Sequence, residues 1–220
     1  MMTPQPITIW DLPTRLFHWL LVLLIVGSVY TVKTTQMTLH AQFGYAILTL
    51  VLWRVGWGVW GSATSRFSHF VKGPGAVFAY LRTLLAGQPA HHVGHNPAGA
   101  LMIVALLALL LVQGVGGLFA SENTFLFFDG PLVHWVGAEW SETITFWHKG
   151  AFNLLIALVA IHVLVNLLYL WLFKHNLILP MVTGQGAGQA GDPALYIAPQ
   201  QRALLTLLLV MALVGSLLLL

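Results

Sequence analysis

The chain has 220 residues, 58% hydrophobic and 7% charged, with a formal net charge of +3. Long apolar runs with so few charges exclude a soluble globular domain and place the chain in a bilayer, while the absence of cysteine excludes disulfides, iron–sulfur clusters and thioether-linked cofactors. The basic residues flank apolar runs, where membrane topology explains them and nucleic-acid binding is not required.

Residues 1–12 form a short mixed tail, and Pro13 suits the first turn of a helix. The first span is expected over 16–32, with His18 about one turn inside it. No small-residue cleavage site follows, so it reads as a retained helix and not a signal peptide. A polar loop at 33–38 is short enough to lay the second span, about 39–60, antiparallel beside the first. His40 opens this span and Arg54 lies near its end. The connection 61–96 holds His69, His91, His92 and His95, and its piece 76–85 reads as a short interfacial helix. The third span is expected over 97–119, the second long connection over 121–146, and the fourth span over about 147–173. A Gly/Pro/Gln-rich linker precedes an uncharged run, 203–220, long enough for a fifth span. The expected fold is therefore an all-α membrane protein. A four-helix transmembrane bundle occupies 1–180, a linker 181–202, and a C-terminal transmembrane helix 203–220.

Arg15, Arg54, Arg66, Lys72, Arg82, Lys174 and Arg202 share one side of this topology, and only Lys33 and Lys149 fall on the other. The positive-inside rule puts the N-terminus in the cytoplasm and the fifth span's C-terminus outside. Four of the six acidic residues, Glu122, Asp129, Glu139 and Glu142, lie in the outer connection.

The histidines carry the chemistry. His148 and His162 are 14 residues apart on one apolar run, four helical turns less about 40°, so they share a face and are separated by about 21 Å along the axis. Ionisable side chains at that depth of a bilayer point to function. The topology sets His40 level with His148 towards the outside, and His18 level with His162 towards the inside. Two imidazoles per level form the axial set of a six-coordinate haem b, which leaves no free iron position and favours electron transfer over oxygen chemistry. Without a third ligand they do not make a tetrahedral zinc site. Gly27, Gly44, Gly116 and Gly117 either admit a porphyrin to the backbone or serve ordinary helix packing. His69, His91, His92, His134 and His175 read as interfacial or loop residues.

The runs HWLL from His18, HAQFGYAILTLVLWRVGWG from His40, GHNPAGALM from Gly94 and the His148–His162 helix together resemble the bacterial cytochrome b561 family, a superfamily that includes the b-type cytochrome subunits of nickel–iron hydrogenases. The resemblance spans about residues 9–184. It implies a four-helix bundle in the bacterial inner membrane with two b haems, the inner one matching His18 and His162 and the outer one His40 and His148. Arg54, which returns to the face of His40 after 14 residues, and His95 are candidates for contact with haem propionates; the alternatives are a topological anchor for Arg54 and, for the GHNP segment, a helix cap by Asn96.

The expected function is electron transfer between membrane quinone and a periplasmic redox partner such as a c-type cytochrome. The acidic outer connection suits a basic partner. Alternatives are superoxide oxidation feeding quinone, a cytochrome b anchor for a hydrogenase or dehydrogenase, and a histidine-lined ion transporter without haem.

Overall fold

The computed structural model describes residues 6–88, 92–123, 127–187 and 195–219. After a short strand β1 (Pro6–Thr8), Asp11 starts the first long helix, α1 (Leu12–Lys33). The Asp11 backbone is extended, its side chain accepts from the Thr14 backbone N–H at 2.7 Å, and Pro13 needs no donor in the first turn. The helix therefore begins four residues before the apolar run at Leu16, because a cap is chosen by hydrogen bonding and not by hydropathy.

Helix α2 (Met37–Trp60) packs along α1. A Cβ on Gly27 would lie 2.9 Å from the Phe43 ring, so this glycine lets the two helices approach. A 3₁₀ turn (Ala63–Ser65), α3 (Phe67–Phe70) and α4 (Pro74–Leu85) follow. The turn buries polar side chains, each of them partnered. The Thr14 and Ser65 hydroxyls share a 2.7 Å hydrogen bond, Thr64 donates to the Ile9 carbonyl at 2.7 Å, and Ser62 accepts from the Ala198 N–H at 2.9 Å.

Helix α5 (Pro97–Phe119) matches its expected span, with Asn96 as cap accepting from the Gly99 N–H at 2.7 Å. Strands β2 (Ser121–Glu122) and β3 (Phe128–Asp129) pair antiparallel. The largest departure from the sequence reading is α6 (Val133–Trp171), which makes helix of residues expected to be a connection. Gly137, at φ 76° and ψ 171°, breaks it near its start. Residues 138–147 are too polar to read as a span. Their helix docks instead on the end of α5, where Ser141 donates to the Phe119 carbonyl at 2.8 Å and the Thr145 hydroxyl accepts from the Ser121 N–H at 2.9 Å. The stretch 138–171 is about 51 Å long, well beyond the roughly 30 Å hydrocarbon thickness.

Helix α7 (Ile178–Thr183) ends at Gly184, whose φ of 85° turns the chain into β4 (Gln185–Ala187), antiparallel to β1. Helix α8 (Gln200–Leu217) lies against α2: Trp53 Nε1 donates to the Ala203 carbonyl at 2.9 Å and Trp60 Nε1 to the Thr206 hydroxyl at 3.0 Å.

Five helices, α1, α2, α5, α6 and α8, are long and apolar enough to cross a membrane, so the all-α membrane bundle expected from the sequence is the observed architecture. Their outer faces expose Leu23, Val26, Leu154, Leu164 and Leu208, as lipid contact requires. The core runs through Phe17, Val51, Trp53, Trp57, Leu107 and Leu155. Helix α1 packs on α2, α2 on α5, and α5 on α6, but α1 and α6 make no extended contact among the described residues. A slot separates them.

Asp11→Ala removes the cap of α1 and leaves the buried Trp57 indole N–H, which now donates to Asp11 at 3.1 Å, without an acceptor. The expected cost is about 2–4 kcal/mol, read as a lower thermal unfolding midpoint in detergent, with Asp11→Asn losing less.

Candidate functional site

Two imidazole pairs face each other across the slot. His18 of α1 and His162 of α6 have ring centres 6.4 Å apart with planes at 52°, and His40 of α2 and His148 of α6 are also 6.4 Å apart, at 83°. An ion bonded at about 2 Å by an imidazole nitrogen on each side sets the ring centres roughly 6.3 Å apart. Among the described residues no third histidine, cysteine or carboxylate completes a metal-binding group. The donor set thus fits a planar macrocycle that supplies its iron's other ligands, and does not fit zinc.

At the His40 end the slot widens into a cavity of about 290 Å³, lined by His40, His148, Gly44, Gln113, Lys33 and Lys149 among others. The Ser28 hydroxyl and carbonyl lie 3.0 and 3.1 Å from His40 Nδ1. Donation from Nδ1 to the carbonyl fixes the tautomer that leaves Nε2 free as a ligand, and holds the ring in place. Behind His148, a Cβ on Gly116 would lie 3.6 Å from Nδ1 and one on Gly117 3.4 Å from Cε1, so these glycines seat the ring. A Cβ on Gly44 would meet nothing within 4 Å, and this glycine opens onto the cavity. At the mouth Lys149 donates to Glu122 at 2.7 Å.

At the other end, Arg54 is 3% exposed, and its Cζ lies 5.3 Å above the Phe67 ring. Its attractive electrostatic partner is Asp11, the buried carboxylate that caps α1. His95 lies between Trp10 and Phe70, with ring centres 4.5 Å from each and planes tilted by 53° and 50°. Burial first, and the Arg54 charge second, push its pKa down to about 3 against a hydrogen bond with the Thr64 backbone, so the imidazole is neutral at pH 7. Asn166 donates to the His162 carbonyl at 2.7 Å, one turn along α6.

Orphaned polar atoms gather at these two places. His18 Nδ1, His148 Nδ1, His95 Nδ1, Arg54 Nη1 and Gln113 Oε1 are buried without a hydrogen-bond partner among the described residues. Buried polar groups are normally paired, so both ends of the slot retain free hydrogen-bonding capacity. His69, His134 and His175 are exposed, and His91 lies outside the described residues. Three residues at the site escape the sequence reading: Ser28, Gln113 and Asp11. Gln113 was legible as a lone amide inside an apolar span, and Asp11 as an N-cap three residues before Thr14. Ser28 was not, since its role depends on the α1–α2 register.

A helical membrane bundle that aligns paired imidazoles across an internal slot has the architecture of a membrane cytochrome. Residues 9–184 match the prokaryotic cytochrome b561 family, and the chain belongs to it. It is accordingly a multi-pass bacterial membrane cytochrome that binds b-type haem and serves electron transfer. No curated protein matches the chain, and no solved structure does. The matched residues end at Gly184, so α8 lies outside them.

Gly117→Leu should push the His148 ring from its seat and lower the haem bound per chain, whereas Gly117→Ala, whose Cβ makes an ordinary 3.4 Å contact, should keep it. Pyridine-haemochrome absorbance per polypeptide checks both.

Proposed function

We propose that the chain holds two b haems, one between His18 and His162 and one between His40 and His148, and carries electrons between membrane quinone and a redox protein at the outer surface. The observation that carries this reading is the equal 6.4 Å separation of the two imidazole pairs, the spacing that one ion bonded on both sides demands. When bound, each haem supplies a one-electron couple at an iron closed to small ligands.

The chain's residues hold and tune these groups. Ser28 orients His40, and Gly116 and Gly117 seat His148. At the other end Arg54 Nη1 is a buried donor free for a propionate, whereas neutral His95, whose one N–H serves the Thr64 backbone, keeps only an acceptor. The buried Arg54 charge favours an added electron nearby, and Asp11 offsets part of that effect. The distribution of basic residues supports an orientation with the His18 end in the cytoplasm and the His40 end in the periplasm. Asp129, Glu139 and Glu142 are exposed at the His40 end and suit a basic partner such as a c-type cytochrome. Glu122, read from sequence as part of the same acidic face, is engaged by Lys149.

One observation favours a second reading, oxidation of superoxide: Lys33 and Lys149 both line the cavity that His40 and His148 face and, with Lys149 paired to Glu122 there, Lys33 carries the attraction for a small anion.

Two tests follow. Haem analysis should give about two low-spin haems per polypeptide, the bis-histidine state. His40→Ala and His148→Ala should remove one centre and His18→Ala and His162→Ala the other; a shared phenotype for His18 and His148 would refute the pairing. Secondly, Glu139→Gln with Glu142→Gln and Asp129→Asn should slow electron exchange with a basic cytochrome, most at low salt, with haem content unchanged. If superoxide is the substrate, the same changes should raise its rate, so the sign of the effect separates the two readings.

A further inference from the structure

A second cavity, of about 170 Å³, lies at the His18 end away from the facing imidazoles of the slot. Lys72, His69 and His92 line it together with Thr64, His95 and Pro97, and among the described residues no carboxylate does. The start of α5 adds its positive dipole end through Pro97. Lys72 stands two residues before α4, and the His92 ring meets the ring of Tyr80 on α4 at 5.2 Å. Helix α4 therefore borders the cavity.

This helix is apolar on two faces. Val77, Tyr80 and Leu84 turn inward; Tyr80 is 5% exposed, and its hydroxyl bonds that of Tyr169 on α6, which pins α4 to the bundle. On the adjoining face, about 100° round the helix, Phe78, Leu81 and Leu85 recur at helical spacing and are 70%, 37% and 88% exposed, with Arg82 beside them. A pinned helix with such an outward stripe lies in the bilayer interface, with its stripe against acyl chains. A cavity lined by the Lys72 cation and an acyl-facing stripe then stand side by side.

We propose that this cavity and the outer face of α4 form a binding site for one anionic phospholipid, its phosphate held by Lys72 and His69 and its acyl chains laid along Phe78, Leu81 and Leu85. The charge of the lining selects the headgroup and the apolar stripe selects a lipid over a free anion. The site needs no haem, so it stands apart from the proposed electron route.

Native mass spectrometry of the full chain in mild detergent tests this, with phosphatidylglycerol, phosphatidylcholine or inorganic phosphate added. Phosphatidylglycerol should be retained over phosphatidylcholine. Lys72 is exposed, so Lys72→Gln should fold, keep its haem absorbance and retain phosphatidylglycerol about fivefold more weakly, the effect of one cation at an anionic surface. Lys72→Arg should restore retention. Phe78→Ser with Leu85→Ser should lower lipid retention without moving haem content. Equal retention of the two lipids, or unchanged retention in Lys72→Gln, would overturn the proposal. So would binding of inorganic phosphate that displaces the lipid and is indifferent to the Phe78 and Leu85 changes, which would make the cavity a solute site.

Discussion

The structure depends on a gap. Helices α1 and α6 are kept apart while α2 and α5 close the other side, and the paired imidazoles face each other there. In lipid there is little hydrophobic drive to hold helices together, so a bundle with an internal slot must be fixed by packing and by specific polar ties. The ties are visible around the slot. Phe43 fits against Gly27 between α1 and α2, Ser141 and Thr145 fasten α6 to the end of α5, and Trp53 and Trp60 fasten α8 to α2. With the walls held from outside, the histidines need not hold each other. They remain available to whatever lies between them.

At the His18 end one carboxylate serves three purposes. Asp11 caps α1, accepts from Trp57 of α2, and stands as counter-charge to Arg54, which is buried within a spanning helix. A lone guanidinium at that depth is costly, and an isolated buried carboxylate is costly as well. Placed together they are tolerable, and the geometry that makes them so also sets the register of α1 on α2. The position of His18, seven residues along α1 from Asp11, follows from that register.

Much of this was readable in the chain. The 14-residue interval between His148 and His162 implies a shared face whatever the rest of the fold, and the spans from 97 to 119 and near 39 to 60 follow from hydropathy alone. What escaped depends on contacts between distant segments. The helix before Trp147 carries Glu139, Glu142 and two threonines, and it is helical because Ser141 and Thr145 find partners at and just past the α5 end. The pairing of Glu122 with Lys149 likewise joins residues whose separation depends on where α6 begins. Gly27 and Gly44 look alike in sequence, yet one packs on a phenylalanine and the other opens onto a cavity.

That α6 supplies one imidazole to each pair has a consequence for biogenesis. His18 and His40 emerge early from the ribosome, on a hairpin of two adjacent helices that has no second imidazole to offer at either level. Both levels are completed by a single later event, the insertion of α6, which brings in His148 and His162 on one rigid rod. On the proposed pairing, haem loading at the two levels would therefore wait on the same step of membrane insertion. Translation arrested before α6 would leave neither level complete.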